Sequence, residues 1–387
     1  MDSFIDKRQS LHPNKRYVFW AAFALFLGFF VPFASFKSAD IAYREFGGEG
    51  AEGQKQVVIL KEQNNINTLQ KNDIGAAGVI KAGLTENYGN VLNEKSFVNN
   101  SGPKNVSLVF VGDIMFDRGV KNSVMKNGDG DYAFLFQNAN FLKNADISFG
   151  NLEGPISDKG EDLRNLYSFR FEPSAIKALK NSGLDVLSIA NNHIGDWGKI
   201  AFEDTISRLD ASGIIPVGGG QSLKDAGEVK VVEKNGFRIG FLAFSDMGPN
   251  WLEATEDSPG ILIIKDSKFV TLVRHAASEV DILVVSLHFG EEYQKNANDR
   301  QKKLAHLAIE NGAKIVVGHH PHVIQEVERY KNGIIAYSLG NFIFDQNFSK
   351  ETMQGLALEI ILSGTEIVSV KQNKIKINKF FQPQLMD

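Results

Sequence analysis

KIVVGHHPHVIQ, residues 314–325, sets an apolar run directly before a glycine and three histidines spaced around a proline. Ile315 to Val317 reads as a strand buried on both faces, and Pro321 marks where pairing must stop, so imidazoles gather at a strand end. The same arrangement recurs upstream. LVFVGD (108–113) ends on Asp113, DISFGNLE (146–153) on Asn151 and Glu153, VLSIANNH (186–193) on Asn192 and His193, and ILVVSLH (282–288) on His288. In α/β sheets ligands collect at the carboxyl ends of strands, where loops converge. Imidazole suits Zn, Fe, Co and Ni, while carboxylate and amide oxygen bring in Mn and Mg, so this series has the ligand chemistry of a divalent metal pair. Glu153 can bind one cation or bridge two, and His320 and His322 alternate around Pro321 so that their rings can reach neighbouring metals. His12, His275 and His306 lack this setting and read as structural.

Outward from these segments, apolar runs alternate with amphipathic ones. Strands are expected at 106–111, 146–149, 186–190, 239–244, 282–287, 315–317 and 334–338. Helices are expected at 134–143, 174–182, 201–212, 268–278 and 299–311. Gly183, Gly213 and Gly312 follow helix ends, as C-termini prefer. Alternating strand and helix implies an α/β domain with a buried, largely parallel sheet. Asn235-Gly236 joins 229–234 to 237–244 as a tight hairpin. After residue 355 the pattern alternates strand-wise (356–362, 366–371, 373–379), predicting added antiparallel strands.

The N-terminal region has a different character. Tyr17 to Phe36 is 20 residues without a charge, the length that spans a bilayer as a helix. Lys7, Arg8, Lys15 and Arg16 precede it, Lys37 and Arg44 follow, and Tyr17 and Trp20 sit where interfacial aromatics belong. The expectation is a cytoplasmic tail (1–16), an uncleaved single-pass anchor (17–36) and everything beyond it outside the cytoplasm. The competing reading is a cleaved signal peptide, against which stand the long apolar run and Lys37 at the –3 position before Asp40. Residues 37–104 read as a linker with an r.m.s. span of roughly 45 Å by random-coil scaling. The main domain is bounded at 105–365, with C-terminal strands at 366–387. A net charge of –4 gives no electrostatic case for nucleic acid. The absence of Cys removes disulfides, thiol nucleophiles and thiolate metal sites.

Taken in order, GDIMFDR (112–118), GNLEGPI (150–156), NNHIGDWG (191–198), HFGEEY (288–293), GHHPHVIQ (318–325) and SLGNFIFDQ (338–346) resemble the successive signatures of the CapA family. These are capsule and poly-γ-glutamate synthesis proteins within the calcineurin-like metallophosphatase superfamily. The resemblance covers roughly residues 106–350. It implies a four-layer α/β/β/α metallophosphatase-like sandwich with two divalent metals (Mn, Zn or Fe) about 3.5 Å apart. By motif position, Asn192, His288 and His320 resemble ligands of one metal, and Asp113 and His322 ligands of the other. His193 resembles a proton donor to the leaving group, with Asp196 orienting it.

Two positions depart from the superfamily pattern. Met115 stands where a ligating His is usual, with Asp117 as the nearest replacement. Asn151 stands where a bridging Asp is usual, with Glu153 two residues on as its substitute. Arg118 and Arg170 are candidates for an anionic substrate, because guanidinium suits carboxylate or phosphate. Gly218-Gly219-Gly220 reads as a plain turn, and Asn341 and Asp345 as either supporting or structural residues. The functional expectation is a membrane-anchored, extracytoplasmic protein for synthesis, release or anchoring of an anionic exopolymer such as poly-γ-glutamate, working beside polymer synthesis and export subunits. A phosphoesterase of envelope or nucleotide substrates, and a non-catalytic, metal-stabilised export subunit, are the alternatives. The two departures weigh against the phosphoesterase.

Overall fold

A computed structural model describes residues 104–386. The expected anchor at 17–36, and all of the tether before residue 104, lie outside the described residues. Among the described residues, no helix is long and apolar enough to cross a membrane.

In chain order the strands are β1 (Asn105–Ile114), β2 (Ile147–Leu152), β3 (Val186–Ser188), β4 (Ile215–Val217), β5 (Gly219–Gly220), β6 (Lys230–Lys234), β7 (Phe237–Ser245), β8 (Gly260–Ile261), β9 (Ile282–His288), β10 (Ile315–His319), β11 (Val327–Tyr330), β12 (Gly333–Ala336), β13 (Asn341–Ile343), β14 (Gln354–Ser363), β15 (Glu366–Ile377) and β16 (Pro383–Leu385). The helices are α1 (Arg118–Asn127), α2 (Ala175–Ser182), α3 (Gly198–Ser212), α4 (Leu223–Ala226), α5 (Asp266–Ser278) and α6 (Asp299–Glu310). One sheet runs β16-β15-β14-β1-β2-β3-β4 with β13 also on β1, and a second runs β11-β12-β10-β9-β7-β6. The first is parallel along β1-β2-β3-β4 and antiparallel along β14-β15-β16, and the second is parallel along β7-β9-β10-β12 with an antiparallel strand at each edge.

Side-chain alternation decides the layering. Along β7, β9 and β10, Ile239, Phe241, Ile282, Val284, Ile315 and Val317 join the core shared with the first sheet. Their neighbours Leu242, Phe244, Leu283, Val285 and Val316 pack in a separate core with Phe269 and Val273 of α5 and Leu304 and Ala308 of α6. Strands covered on both faces have no polar face to show, which is why these segments read as continuous apolar runs. Phe149 of β2 stacks on Phe241 of β7 with centroids 5.9 Å apart, joining sheet to sheet.

Three sequence expectations change. The helix expected over 134–143 is two short 3₁₀ turns, Tyr132–Phe136 and Asn140–Asn144. Asp131 caps the first through the Ala133 amide, and Asn138 and Asn140 are residue types whose side chains compete with the backbone for hydrogen bonds where a helix must continue. Helix α1, a largely polar segment that buries only Val120, Ser123 and Val124, was not foreseen; Asp117 caps its start, accepting from the Arg118 amide at 2.7 Å. The two strands expected at 366–371 and 373–379 are one strand, β15, which pairs with β14 at ten registered positions. Residues 366–377 therefore extend the first sheet of the main domain.

Two glycines let the strand ends close around the site. A Cβ on Gly112 would lie 1.9 Å from the Gly340 carbonyl oxygen, and one on Gly318 2.0 Å from that of Tyr337. Backbone cannot yield as a side chain can. Gly112→Ala and Gly318→Ala are each expected to destabilise by about 3 kcal/mol, the upper end of overpacking costs, measured by denaturant unfolding. A loss under about 1 kcal/mol would show that the strand ends are looser than their spacing implies.

Candidate metal centre

Register brings the polar strand ends side by side. Asp113 is aligned with Asn151 on one flank and Asn341 on the other, and His319 with His288 in the second sheet. The turn after β10 then carries His320 and His322 with φ of 98° and 57°. Left-handed backbone is uncommon for a residue with a Cβ and persists where the surroundings fix it, often at functional sites. All of Asp113, Asn151, Glu153, His288, His319, His320 and His322 are buried.

Asn151 acts as a clamp. Its Nδ2 donates to Asp113 Oδ1 at 2.8 Å and to Glu153 Oε2, and its Oδ1 accepts from Asn191 Nδ2 at 3.1 Å. The amide cannot be reversed, because Asn191 Nδ2 is itself fixed on the Leu152 carbonyl at 2.8 Å. Both hydrogens of Asn151 thus hold two carboxylates close together, and its oxygen is spent on protein. Expected as a ligand, Asn151 is placed as a donor to the Asp113 and Glu153 carboxylates.

Glu153 lies at the centre. One donor atom each of Asp113, Glu153 and His288 falls within 4.8 Å of the others, and the same holds for Glu153, His320 and His322. Glu153 is common to both groups. The family resemblance divides His320 and His322 between two metals, whereas here they share one group. Asn192 Oδ1 stands 2.8 Å from His288 Nε2, and His322 Nδ1 lies 3.0 Å from both Asp113 Oδ2 and Asn341 Oδ1.

These groups suit a divalent cation on their own chemistry. Glu153 Oε1, His288 Nδ1 and His320 Nδ1 are buried without a hydrogen-bond partner, a costly condition that a cation relieves. Burial and the nearby Asp113 carboxylate push Glu153 well above the usual carboxylate range, against the hydrogen bond from Asn151. Burial pushes Asp113 up as well, but hydrogen bonds with His319 and His322 outweigh it and hold the group well below its ordinary value. Burial lowers His288 strongly, and with His322 nearby it brings His320 to about 3. The centre therefore offers neutral imidazoles with free lone pairs beside carboxylates that lack a counter-charge.

A pH dependence follows. Without metal, the stability associated with protonated Glu153 is present below the unfolded carboxylate range and is lost as pH rises through its elevated folded value. Metal competes with that proton, while the depressed imidazoles add little competition. Added Mn²⁺ or Zn²⁺ is expected to raise Tm more at pH 8 than at pH 5, with proton release on binding at the lower pH. Equal rises at both pH values would exclude Glu153 as a ligand.

His193 stands apart from these donors. Its Nδ1 is 2.8 Å from Asp196 Oδ2, leaving Nε2 for a substrate, and it lines a cavity of about 400 Å³ together with Arg118, Phe169, Tyr293, His322 and Phe344. Arg118 also lines this cavity, but it is paired with Asp345 and lies over the Phe169 ring at 4.7 Å. Arg170 lies 3.5 Å from the Trp197 ring centroid and is not among the cavity residues. Asp117 is committed to backbone: its Oδ1 accepts from the Arg118 amide and its Oδ2 from the Arg170 amide at 2.9 Å. It therefore does not replace the imidazole missing at Met115, whose sulfur faces the Asp117 amide at 3.0 Å.

Sequence reading gave no role to Asn191 and took His319 only as one of the clustered histidines; of the two readings open for Asn341, the structure gives the supporting one, with its Oδ1 3.0 Å from His322 Nδ1. His319 was detectable in principle, since it ends the same strand as its neighbours and pairs with His288. Nothing local marked Asn191 from Asn192.

The chain matches the family described as bacterial capsule synthesis protein PGA_cap over residues 107–346. It is 36% identical over 276 residues to the capsule biosynthesis protein CapA of Bacillus anthracis, covering 68% of this chain and 66% of that one. It is 35% identical over 248 residues to the PGA biosynthesis protein CapA of Bacillus subtilis, covering 63% and 65%. The chain thus spans just under two thirds of the length of these relatives. Among solved structures it is similar to a putative 5'-nucleotidase from Staphylococcus aureus, with a TM-score of 0.42, 14% identity, and coverage of 73% of this chain and 54% of that one.

Proposed function

The chain belongs to the bacterial capsule synthesis protein PGA_cap family, and from that premise we propose that it is a membrane-anchored, extracytoplasmic hydrolase-type protein acting on an anionic exopolymer such as poly-γ-glutamate during its synthesis, release or anchoring. Its fold is read as the four-layer metallophosphatase sandwich, in which Asp113, Glu153, His288, His320 and His322 would hold two divalent ions. The observation that carries this reading is the juxtaposition of the buried Asp113, Glu153, His288, His320 and His322 donors with a cavity-facing His193–Asp196 pair.

Divalent ions, when bound there, polarise the oxygen of a scissile acyl or phosphoryl group. The chain's own residues do the rest. Asp113, Glu153 and the three imidazoles hold the cations, and Asn151 keeps the two carboxylates together before they arrive. Asp196 fixes the His193 tautomer with its proton on Nδ1, so that Nε2 exchanges a proton with the leaving group. Arg118 reaches a substrate carboxylate only by sharing or leaving Asp345. The basic residues before Tyr17 support an orientation with this cavity outside the cytoplasm, beside synthesis and export subunits.

The test pairs topology with function. In a strain lacking its own copy, the full-length protein is expected to restore exopolymer, and an external-space reporter fused after residue 100 to be active. An active cytoplasmic reporter would reverse the orientation; restored polymer with His320→Ala, despite loss of metal, would remove the metal from the function.

A further inference from the structure

Residues 158–170, between β2 and α2, have no regular secondary structure, yet they converge on one residue. The Leu163 amide donates to the Asp196 carbonyl at 3.0 Å. Asn165 Nδ2 donates to Asp196 Oδ1 at 2.9 Å, and the Phe169 amide to Asp196 Oδ2 at 2.9 Å. That second oxygen is the one His193 Nδ1 meets at 2.8 Å. Asp196 is 1% exposed, so the loop and the imidazole share a single buried carboxylate. The Phe169 ring also lies against His193, with centroids 4.3 Å apart, and carries the Arg118 guanidinium. Tyr167 and Phe169 line the cavity, while Leu166 between Asn165 and Tyr167 is 89% exposed.

An apolar residue left in water at the tip of an irregular loop is not what holds that loop in place. Beside the buried Phe169 ring, its anchorage is a set of hydrogen bonds that act on Asp196. A carboxylate with only one partner turns about its terminal torsion, which is broad. With Asn165 on Oδ1 and the Phe169 amide on Oδ2, the plane of the Asp196 carboxylate is set, and Oδ2 is presented to His193. Phe169 closes the face of the imidazole and limits its rotation.

We propose that Asn165 and Phe169 are positioning residues of the reaction, fixing His193 through Asp196 and through ring contact, so that His193 is correctly aimed only when the 158–170 loop is seated. This rests on the reading of His193 as the proton-transfer group. It gives the loop a role beyond walling the cavity: substrate that presses on Tyr167 and Phe169 also sets the geometry of the group that acts on it. Groups that orient a functional residue from outside the site typically contribute 10- to 100-fold.

The experiment uses the full-length, Mn²⁺-loaded protein and its Asn165→Ala, Asn165→Gln and Leu166→Ala variants. Exopolymer output in the deletion strain, metal content, Tm and tryptic cleavage after Arg164 are read for each. Asn165→Ala is expected to lower polymer output about tenfold and speed cleavage after Arg164, with metal content and Tm unchanged. Asn165→Gln, which keeps an amide donor, restores most of the output, and Leu166→Ala matches wild type. The proposal is overturned if Asn165→Ala gives wild-type output, or if its loss of output tracks loss of metal or of Tm. Full output from His193→Ala would instead bring down the underlying reading, a result that Asn165→Ala alone cannot produce.

Discussion

His193→Ala lowers turnover by roughly 10² to 10⁴, the usual contribution of a positioned acid or base, and leaves metal content nearly intact. The two halves of this expected result come from different observations. Turnover falls because His193 faces the cavity with Nε2 free while Asp196 holds Nδ1. Metal stays because His193 is in neither of the two donor groups, both of which are built from buried side chains on other strand ends. The neighbouring Asn192 is the residue whose oxygen meets His288, so a one-residue step along the chain separates cation support from proton transfer. The measurement is exopolymer output in the complemented strain with metal analysis of the same purified variant. If His193→Ala strips metal as thoroughly as His320→Ala does, the division of roles is wrong. If it supports full polymer output with metal in place, the protein works without this proton transfer.

Glu153→Gln is expected to have effects of opposite sign in the two states of the protein. In the metal-free protein Glu153 is buried beside Asp113 with one oxygen unpartnered and its ionised form disfavoured, so a neutral isostere that can still accept from Asn151 removes a cost. Its metal-free Tm at pH 8 should rise above that of wild type. Because Glu153 belongs to both donor groups, the same change weakens every cation the centre holds. Affinity should fall by more than the 10- to 100-fold typical of losing a group outside the ligand shell, and the Tm increase on adding Mn²⁺ should vanish. Calorimetric titration and thermal unfolding with and without metal decide it. A Glu153→Gln variant that binds metal as wild type does would leave Asp113, His288, His320 and His322 as the whole donor set.

Much of this was legible in the sequence for a definite reason. A strand buried on both faces is written as an unbroken apolar run, so β1, β2, β7, β9 and β10 were readable one at a time, and the polar residues ending them were readable as a set. Asp113, His288, His320 and His322 converge in the structure as the strand-end reading required. What was lost depends on direction rather than position. Asn151 sits where a ligand was expected, but its amide points at Asp113 and Glu153; only three-dimensional partners show that. Asp117 looked like a spare carboxylate, yet two backbone amides take both its oxygens. Helix α1 escaped because it is largely polar, with Val120, Val124 and Met125 as its only apolar side chains. The role of Asn165 was out of reach, since the residue it contacts lies 31 positions away across an irregular loop.

The donors also impose an order in time. Asp113 is made early in synthesis and His322 two hundred residues later, with Glu153 and His288 between them. Between residues 153 and 288 an emerging chain carries only Asp113 and Glu153 of these donors, and the strand bearing His319 must dock beside β9 before the rest are in place. Sites of such wide sequence separation form late, because loop closure must be completed before any contact rewards it. Cation capture is therefore coupled to the last steps of folding. On the proposed reading, the ion acquired would be set by what surrounds the chain where it finishes folding, a record of place as much as of affinity.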